Sequence, residues 1–152
     1  MQTEISPYQL AHDFASFTSR SIFITGKAGT GKTTFLRNLH NESSKSMAIV
    51  APTGVSAIQA GGVTIHSFFQ LPFHPFLPTE DGRRDLISKV HFVGSRRQIF
   101  KSLELLVIDE VSMVRADVLD AIDTILRHYK YCPNLPFGGV QVLFIGDLYQ
   151  LS

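Results

Sequence analysis

Four short apolar runs, separated by stretches with helical periodicity, form the main pattern along the chain. The runs lie at about 22–25, 47–51, 104–108 and 140–145, and their continuity is typical of strands that are buried on both faces. Between the runs, apolar residues recur every three or four positions, as in helices that bury one side. Strands that alternate with helices predict an α/β fold with a parallel sheet.

Residues with capping chemistry predict where several helices begin and end. Ser6 and Pro7 suit the N-cap and the first position of a helix that ends near Thr18, and a second helix is predicted to begin at about Lys32. A polar turn is predicted at 41–46. It is followed by a helix from Thr53 through Ala60 that Gly61 closes, and by a short turn at 65–69 that Thr64 caps. A further helix is predicted within 112–131, with one buried face formed by Val118, Ile122, Ile125 and Tyr129.

The segment 71–102 interrupts this alternation. Its first part contains three prolines and a glycine, which make a helix improbable between residues 71 and 82. Only weak helical periodicity follows, at 86–90 and 97–103. We therefore predict an excursion from the sheet rather than a further strand and helix.

The composition restricts the class of protein. The chain has 152 residues, of which 44% are hydrophobic, enough for one core and too few for two. No apolar run approaches the roughly 20 residues of a membrane span, and no secretory signal opens the chain. The single Cys132 excludes an internal disulfide, and no Cys/His cluster has metal-ligand spacing. We expect a cytoplasmic protein, in a bacterial cytosol or nucleoid rather than a nucleus or mitochondrion.

The net charge of +1 conceals a separation of charge along the chain. Residues 83–101 carry six basic side chains against one acid, whereas residues 104–123 carry six acids against one base. A basic patch of this size can attract a polyanion such as nucleic acid. A solvated basic loop would have the same composition, so the charge by itself leaves both interpretations open.

The first candidate for chemistry is GKAGTGKT at 26–33, directly behind the first apolar run. This segment has the spacing of a phosphate loop, in which a glycine is followed by four residues and then by Gly-Lys-Thr. The glycines let successive backbone N–H groups face phosphate oxygens. Lys32 supplies a cation to the β- and γ-phosphates, and the Thr33 hydroxyl can ligate Mg²⁺. The sequence predicts a nucleoside triphosphate site that contacts Gly26, Ala28, Gly29, Thr30, Gly31, Lys32, Thr33 and Thr34.

Acidic and amide side chains follow the third and fourth apolar runs. Asp109 and Glu110 come directly after 104–108, and Asp147 and Gln150 follow 140–145. Open α/β sheets bind ligands at the carboxyl ends of their strands. Asp109 is therefore the expected Mg²⁺ acid. Glu110 is the expected base for an attacking water, which favours hydrolysis, and Gln150 can sense the γ-phosphate.

Three residues have a structural as well as a functional interpretation. Gln9 lies three residues after Ser6, so it can complete a capping box, and its amide can equally read N6 and N7 of adenine. His66 and Phe68 can be packed side chains or nucleic-acid contacts. Nothing local decides between these alternatives.

Four segments together resemble a known family: GKAGTGKTTFL at 26–36, APTGVSAIQAGGVTIHSFF at 51–69, LLVIDEVSMV at 105–114 and PFGGVQVLFIGDLYQL at 136–151. They are similar to the first RecA-like domain of PIF-type DNA helicases, superfamily-one enzymes that move 5′ to 3′ on single strands and are related to the RecD and Dda helicases. The resemblance implies a P-loop NTPase with a RecA-like parallel sheet, helices on both faces and a small inserted subdomain. It also implies ATP and Mg²⁺ as ligands.

The same resemblance suggests roles for individual residues. Lys32 would bind the phosphates, and Thr33 and Asp109 would bind Mg²⁺. Glu110 would be the catalytic base, and Gln150 would sense the γ-phosphate. Gln9 resembles the adenine-reading glutamine of the family. The single-stranded DNA contacts would be Thr53, Gly54, Thr64, His66 and Phe68. Residues 71–102 occupy the position of the wedge subdomain that splits a duplex, although their sequence matches no motif of it.

The resemblance implies a motor that acts in DNA repair, replication, recombination or telomere maintenance, with single strands and duplex junctions as partners. One departure from the family is that the chain stops at Ser152, after GDLYQL, where the family continues into a second RecA-like domain that supplies arginines to the γ-phosphate. We therefore expect 1–152 to be a truncated first domain that binds ATP weakly, hydrolyses it poorly and does not unwind DNA. The alternatives are another P-loop ATPase, of AAA+ or kinase type, and a non-catalytic nucleotide-gated DNA-binding module; the oligomeric state stays open.

Overall fold

The computed structural model describes residues 6–25 and 31–147. These residues form five strands and seven α-helices. In chain order they are α1 (Pro7–Phe17), β1 (Ile22–Thr25), α2 (Lys32–Glu42), β2 (Met47–Ala51), α3 (Gly54–Ala60), β3 (Val63–Thr64), α4 (Ile65–Phe69), α5 (Glu80–Lys89), α6 (Gly94–Ser102), β4 (Leu105–Ile108), α7 (Ala116–Tyr129) and β5 (Gln141–Gly146). Short 3₁₀ turns precede α7 and β5, at Val111–Met113 and Pro136–Gly139.

The five strands form one parallel sheet in the order β1-β5-β4-β2-β3. The register pairs Thr25 with Gly146 and Val50 with Ile108. Because all strands run in the same direction, the residues that follow them meet at one edge of the sheet. This confirms the predicted α/β class, and the four apolar runs are strands to within one residue.

Helices cover both faces of the sheet, as predicted. Leu105 and Val107 point to one face, where they pack with α1, α2 and the end of α3. Leu106 and Ile108 point to the other face, where they pack with α4, α5, α6 and α7. Alternate residues of β4 therefore serve two cores, which explains why its sequence is apolar throughout.

The segment 71–102 shares a core with the main sheet. Phe92 and Phe100 stack with ring centroids 4.2 Å apart and lie in the same buried cluster as β4. The Tyr129 hydroxyl accepts a hydrogen bond from the Phe92 N–H and donates one to the Val90 carbonyl, both at 3.0 Å. The prediction that this segment contains no strand of the sheet is confirmed for 71–102.

Some predicted boundaries are wrong for local reasons. Helix α5 begins at Glu80, inside the stretch predicted to be non-helical, because the Thr79 hydroxyl accepts the Gly82 N–H as an N-cap. Helix α2 extends two residues into the predicted polar turn, whereas α7 lies within the predicted range 112–131. Strand β3 has two residues, which is too short to produce a sequence pattern. Among the described residues, no helix is long and apolar enough to cross a membrane.

Candidate active site

The candidate nucleotide site lies at the carboxyl edge of the sheet. Strand β1 ends at Thr25, immediately before the predicted phosphate loop, and its neighbour β5 ends at Gly146, immediately before Asp147. Strand β4, on the other side of β5, delivers Asp109 and Glu110. The sheet order thus brings together three segments that are far apart in sequence. Gly26, Ala28, Gly29, Thr30 and Gln150 lie outside the described residues, so their predicted roles stay predictions.

Lys32 and Asp109 form the central contact of this site. The Lys32 Nζ lies 3.3 Å from the Asp109 Oδ2. Asp109 is 1% exposed and the Lys32 side chain 27% exposed. Oδ2 makes this ion pair without a well-formed hydrogen bond among the described residues, whereas Oδ1 accepts the Glu110 N–H at 2.9 Å. The buried carboxylate therefore has one oxygen fixed by the backbone and the other directed at the lysine of the phosphate loop.

The N-terminus of α2 also faces this edge. Gly31 is its N-cap, with φ of 90°, a left-handed conformation that favours glycine. Lys32, Thr33 and Thr34 follow as the first turn, where free backbone N–H groups and the positive end of the helix dipole attract anions. Phe35, Leu36 and Leu39 fix the helix to the sheet as the sequence predicts.

Glu110 has a backbone conformation that is rare for a residue with a side chain. Its φ is 51° and ψ is 45°, in the left-handed region, which costs on the order of 1 kcal/mol. The turn is maintained because the Glu110 carbonyl accepts the Met113 N–H at 3.0 Å and because Val111 is buried. The same left-handed φ occurs at Gln70, Tyr131 and Phe137, so the catalytic role of the half-buried Glu110 stays a prediction.

Gly146 allows the end of β5 to approach this turn. A Cβ at this position would lie 2.9 Å from the Val111 Cγ1 and 3.4 Å from the Ser112 backbone nitrogen, closer than packed side chains tolerate. Sequence analysis did not single out Gly146; its only signal is its position between the last apolar run and Asp147. It is a positioning residue for the segment that holds Glu110.

Gln9 lies on α1, and only half of the predicted capping box forms. The Ser6 Oγ accepts the Gln9 backbone N–H at 3.1 Å, but the Gln9 side chain donates to the Asp13 Oδ1 at 3.3 Å. The neighbouring Tyr8 stacks on Phe35 of α2 with ring centroids 5.1 Å apart. The start of α1 is therefore fixed beside the start of α2, and the exposed Gln9 amide is close in sequence to that contact.

The candidate DNA contacts lie after β2 and β3, at the same edge of the sheet. Thr53 forms a full capping box with Ser56 at the start of α3, with Gly54 exposed as the first residue of the helix. The Thr64 Oγ1 accepts the Ser67 N–H at 3.2 Å as the N-cap of α4. His66 is half-buried, and Phe68 packs edge-on against Phe69 at 4.9 Å. These contacts give Thr53, Thr64 and Phe68 a structural role, and their contact with DNA stays a prediction.

Most of the predicted basic patch is neutralised or used internally. Helix α5 contains three acids and three bases, and its pairs include Arg84 with Glu80 and Lys89 with Asp85. The range 83–101 therefore excluded two of the three acids of the same helix, Glu80 and Asp81. The remaining excess lies on α6, where Arg96 donates to the Ser67 and Phe68 carbonyls at 2.7 and 2.5 Å and so caps α4.

A parallel sheet with a Gly-Lys-Thr helix start and an acid at the end of a neighbouring strand defines a P-loop nucleoside triphosphatase. The family model described as PIF1-like helicase matches residues 8–152. The chain belongs to this family, which confirms the resemblance found in the sequence.

Individual proteins and solved structures that are similar to this chain are also PIF1-type helicases. The chain is 36% identical over 139 residues to the ATP-dependent DNA helicase PIF1 of Saccharomyces cerevisiae, covering 86% of this chain and 15% of that protein. It is 34% identical over 151 residues to human PIF1, covering 97% of this chain and 22% of that protein. A Pif1 helicase from Bacteroides, crystallised with ADP-AlF3 and single-stranded DNA, superimposes with a TM-score of 0.82 at 42% identity, covering 100% of this chain and 34% of that chain. The chain thus spans about a third or less of these relatives.

Proposed function

We propose that this chain is the ATP-binding motor domain of a DNA helicase that translocates along single-stranded DNA. The observation that carries the proposal is the Lys32–Asp109 contact of 3.3 Å at the carboxyl edge of the sheet. A lysine from the phosphate loop and the acid at the end of β4 are the two groups that bracket phosphate and metal in this class of enzyme. When a nucleotide enters, Lys32 exchanges Asp109 for the β- and γ-phosphates.

The residues present fit a magnesium ion. Among the described residues, no group of three or more His, Cys, Asp or Glu side chains could hold a metal, but Mg²⁺ with a nucleotide needs only one or two protein ligands besides phosphates and water. The Asp109 Oδ2 is buried and has no hydrogen bond from the residues that the structure describes, and Thr33 lies in the first turn of α2. These two would hold the ion, which supplies charge neutralisation at the phosphates.

Glu110 would orient and deprotonate the attacking water, and Gln150 would sense the γ-phosphate. Glu110 lies one residue beyond Asp109, on the same turn, and in this proposal its carboxylate would act as the general base for a water beside the nucleotide. Gln9 would read adenine from α1. Each of these roles follows the family motif at a matching position.

We further propose that the single strand crosses Thr53, Gly54, Thr64, His66 and Phe68 and that a second RecA-like domain completes the ATP site. The Bacteroides relative was crystallised with single-stranded DNA, and another Pif1 structure concerns unwinding of forked duplex DNA. Residues 71–102 would then lie at the duplex junction as a wedge. A cytosolic location is part of this proposal and is in keeping with the single cysteine; the relatives include bacterial and human proteins.

The first experiment measures binding and turnover by the 152-residue chain. Binding of a fluorescent ATP analogue and of a labelled single-stranded oligonucleotide is followed by anisotropy, each with and without the other. We expect weak nucleotide binding, little turnover and no unwinding, with the nucleotide changing the affinity for the oligonucleotide. The Lys32→Ala variant should lose nucleotide affinity and keep DNA affinity.

The other outcomes separate the alternatives. Nucleotide binding with no affinity for DNA would contradict the DNA part of the proposal and favour another P-loop ATPase. DNA binding without any nucleotide binding would favour a non-catalytic module. Vigorous unwinding would show that a second RecA-like domain is not needed.

A further inference from the structure

Phe73 is an apolar side chain that the fold holds in solvent. Among the large apolar side chains of the described residues it is the most exposed, at 93%. Full exposure of a phenylalanine forgoes roughly 2 kcal/mol that burial would supply. Single exposed apolar residues are common, so exposure alone does not indicate a function. The contacts that hold the loop around Phe73 in place are more informative.

The short loop around Phe73 is fixed at both ends. On one side, Leu71 is buried in the core and its N–H donates to the His66 carbonyl at 3.1 Å. On the other side, the Phe76 N–H donates to the Asp117 Oδ2 at 3.2 Å. Prolines at 72 and 75 restrict the backbone between these anchors. The backbone at Phe73 is therefore restricted, and the fold determines that this residue lies in solvent.

Phe73 also has an aromatic partner among the candidate DNA contacts. Its ring is nearly parallel to that of His66, with an interplanar angle of 6° and centroids 5.6 Å apart. An open cleft of about 540 Å3 connects this pair with Pro52 and Thr64. The pair thus borders the edge of the sheet at which β2 and β3 end.

We propose that Phe73, supported by His66, is a stacking platform for an unpaired base of single-stranded DNA. A fixed, exposed aromatic ring offers its face to any base, because every base has a π-face, and such stacking tolerates any sequence. The platform adds an exposed base contact to a region where Thr53, Gly54 and Thr64 offer hydroxyls and backbone groups suited to phosphates. This inference rests on the proposed function, since it places a further contact in the same DNA site.

Affinity for two kinds of oligonucleotide tests the proposal. Phe73→Ala should weaken binding of oligo-dT about tenfold and leave nucleotide binding unchanged. Phe73→Leu, which keeps the apolar surface and removes the ring, should lose nearly as much. For an abasic oligonucleotide with the same number of phosphates, wild type and both variants should bind alike. The dependence of oligo-dT affinity on salt should also keep its slope, because no phosphate contact is removed.

A fluorescence measurement locates the contact directly. The chain contains no tryptophan, so Phe73→Trp introduces a single reporter at the platform. Stacked oligo-dT should quench its emission, whereas an abasic oligonucleotide should not. Phe17→Trp is the matched control, because Phe17 is 80% exposed and lies on α1, near the β1 edge of the sheet and away from α4.

Each outcome decides the matter. Oligo-dT binding that is insensitive to Phe73→Ala, or an emission of Phe73→Trp that oligo-dT does not change, overturns the platform and leaves the proposed function standing. Failure of wild type to bind any oligonucleotide overturns the proposed function and the platform together. Equal losses for oligo-dT and the abasic strand would show that Phe73 acts on the fold of the region and would also overturn the platform.

Discussion

Replacing Lys32 with alanine should destabilise the nucleotide-free protein as well as weaken its binding of ATP. Asp109 is 1% exposed and its Oδ2 lies 3.3 Å from the Lys32 Nζ. At this distance and an effective dielectric constant of about 20, two unit charges attract by about 5 kcal/mol before desolvation is subtracted. Without the lysine, the fold would keep a buried carboxylate with no cation beside it.

The expected loss is about 2 kcal/mol. Removal of one partner from a fully buried ion pair costs about 3–5 kcal/mol, but the Lys32 side chain is 27% exposed, so water can partly replace the ammonium group. For a domain of this size, such a loss corresponds to a melting temperature lower by roughly 4–8 °C. Adding Asp109→Asn to Lys32→Ala should recover most of it, because a neutral amide needs no cation. The double variant should still fail to bind ATP.

Urea and thermal unfolding in nucleotide-free buffer, followed by circular dichroism, measure these changes. Lys89→Ala is the matched control: it removes a lysine from a pair with Asp85 in which both side chains are about half exposed, and should cost less than about 0.5 kcal/mol. The reasoning is refuted if Lys32→Ala loses no more stability than Lys89→Ala. It is also refuted if Asp109→Asn does not restore the stability of Lys32→Ala.

Three further changes test the rest of the site and fold. Glu110→Gln should keep nucleotide affinity within about twofold and lower the turnover of ATP by about a hundredfold or more, as measured by phosphate release. If Glu110→Gln loses as much nucleotide affinity as Lys32→Ala, Glu110 is not the base. Gly146→Ala should cost about 1 kcal/mol in urea unfolding and reduce turnover more than affinity, because its Cβ would press on Val111; unchanged turnover would contradict this. Burial lowers the pKa of Lys45, and the negative charge of Glu104 opposes part of this decrease. Lys45 therefore holds its proton more tightly in the unfolded chain than in the folded protein. The free energy of unfolding should therefore rise with pH in the range just below the ordinary lysine pKa of about 10.4, and Lys45→Met should remove that rise.

The sequence was sufficient to predict those parts of the molecule that depend on local chemistry. Apolar runs located four of the five strands, since buried parallel strands leave an unmistakable pattern, while the two residues of β3 leave none. The meeting of Lys32 with Asp109 was also predictable, although 76 residues separate them in the numbering, because parallel strands bring their carboxyl ends to one edge.

Contacts that depend on tertiary packing were not predictable. The stacking of Phe73 on His66 requires that a proline-containing loop folds back over α4, and no periodicity encodes this. The charge balance of this segment also depends on the structure: helix α5 begins at Glu80, and Glu80 pairs with Arg84 although it lies outside the range 83–101. Ion pairs depend on helix boundaries, which are the least certain part of a sequence prediction.

The two edges of the sheet use buried polar groups in opposite ways. At the amino edge, Gln141 is 3% exposed and its amide donates to the Phe14 and Arg20 carbonyls at 3.1 and 2.7 Å and accepts from the Lys45 Nζ at 2.7 Å. The Lys45 ammonium also donates to the Thr18 carbonyl. This satisfied cluster fixes the end of α1 to β2 and β5, as expected of a polar network that stabilises a fold.

At the carboxyl edge the polar groups are left with unused capacity. The Asp109 Oδ2 is buried without a hydrogen bond among the described residues, Glu110 holds a strained backbone conformation, and the first turn of α2 presents N–H groups that have no partner within the helix. The strained turn at Glu110 costs roughly 1–3 kcal/mol, and the buried Oδ2 is compensated by the Lys32 ammonium group, which a bound phosphate would also attract. A ligand that carries both phosphate oxygens and a cation would engage the helix N–H groups, Lys32 and the Asp109 Oδ2 at once. The contrast between the edges therefore supports the proposal that a metal-bound nucleotide would bind at the carboxyl edge.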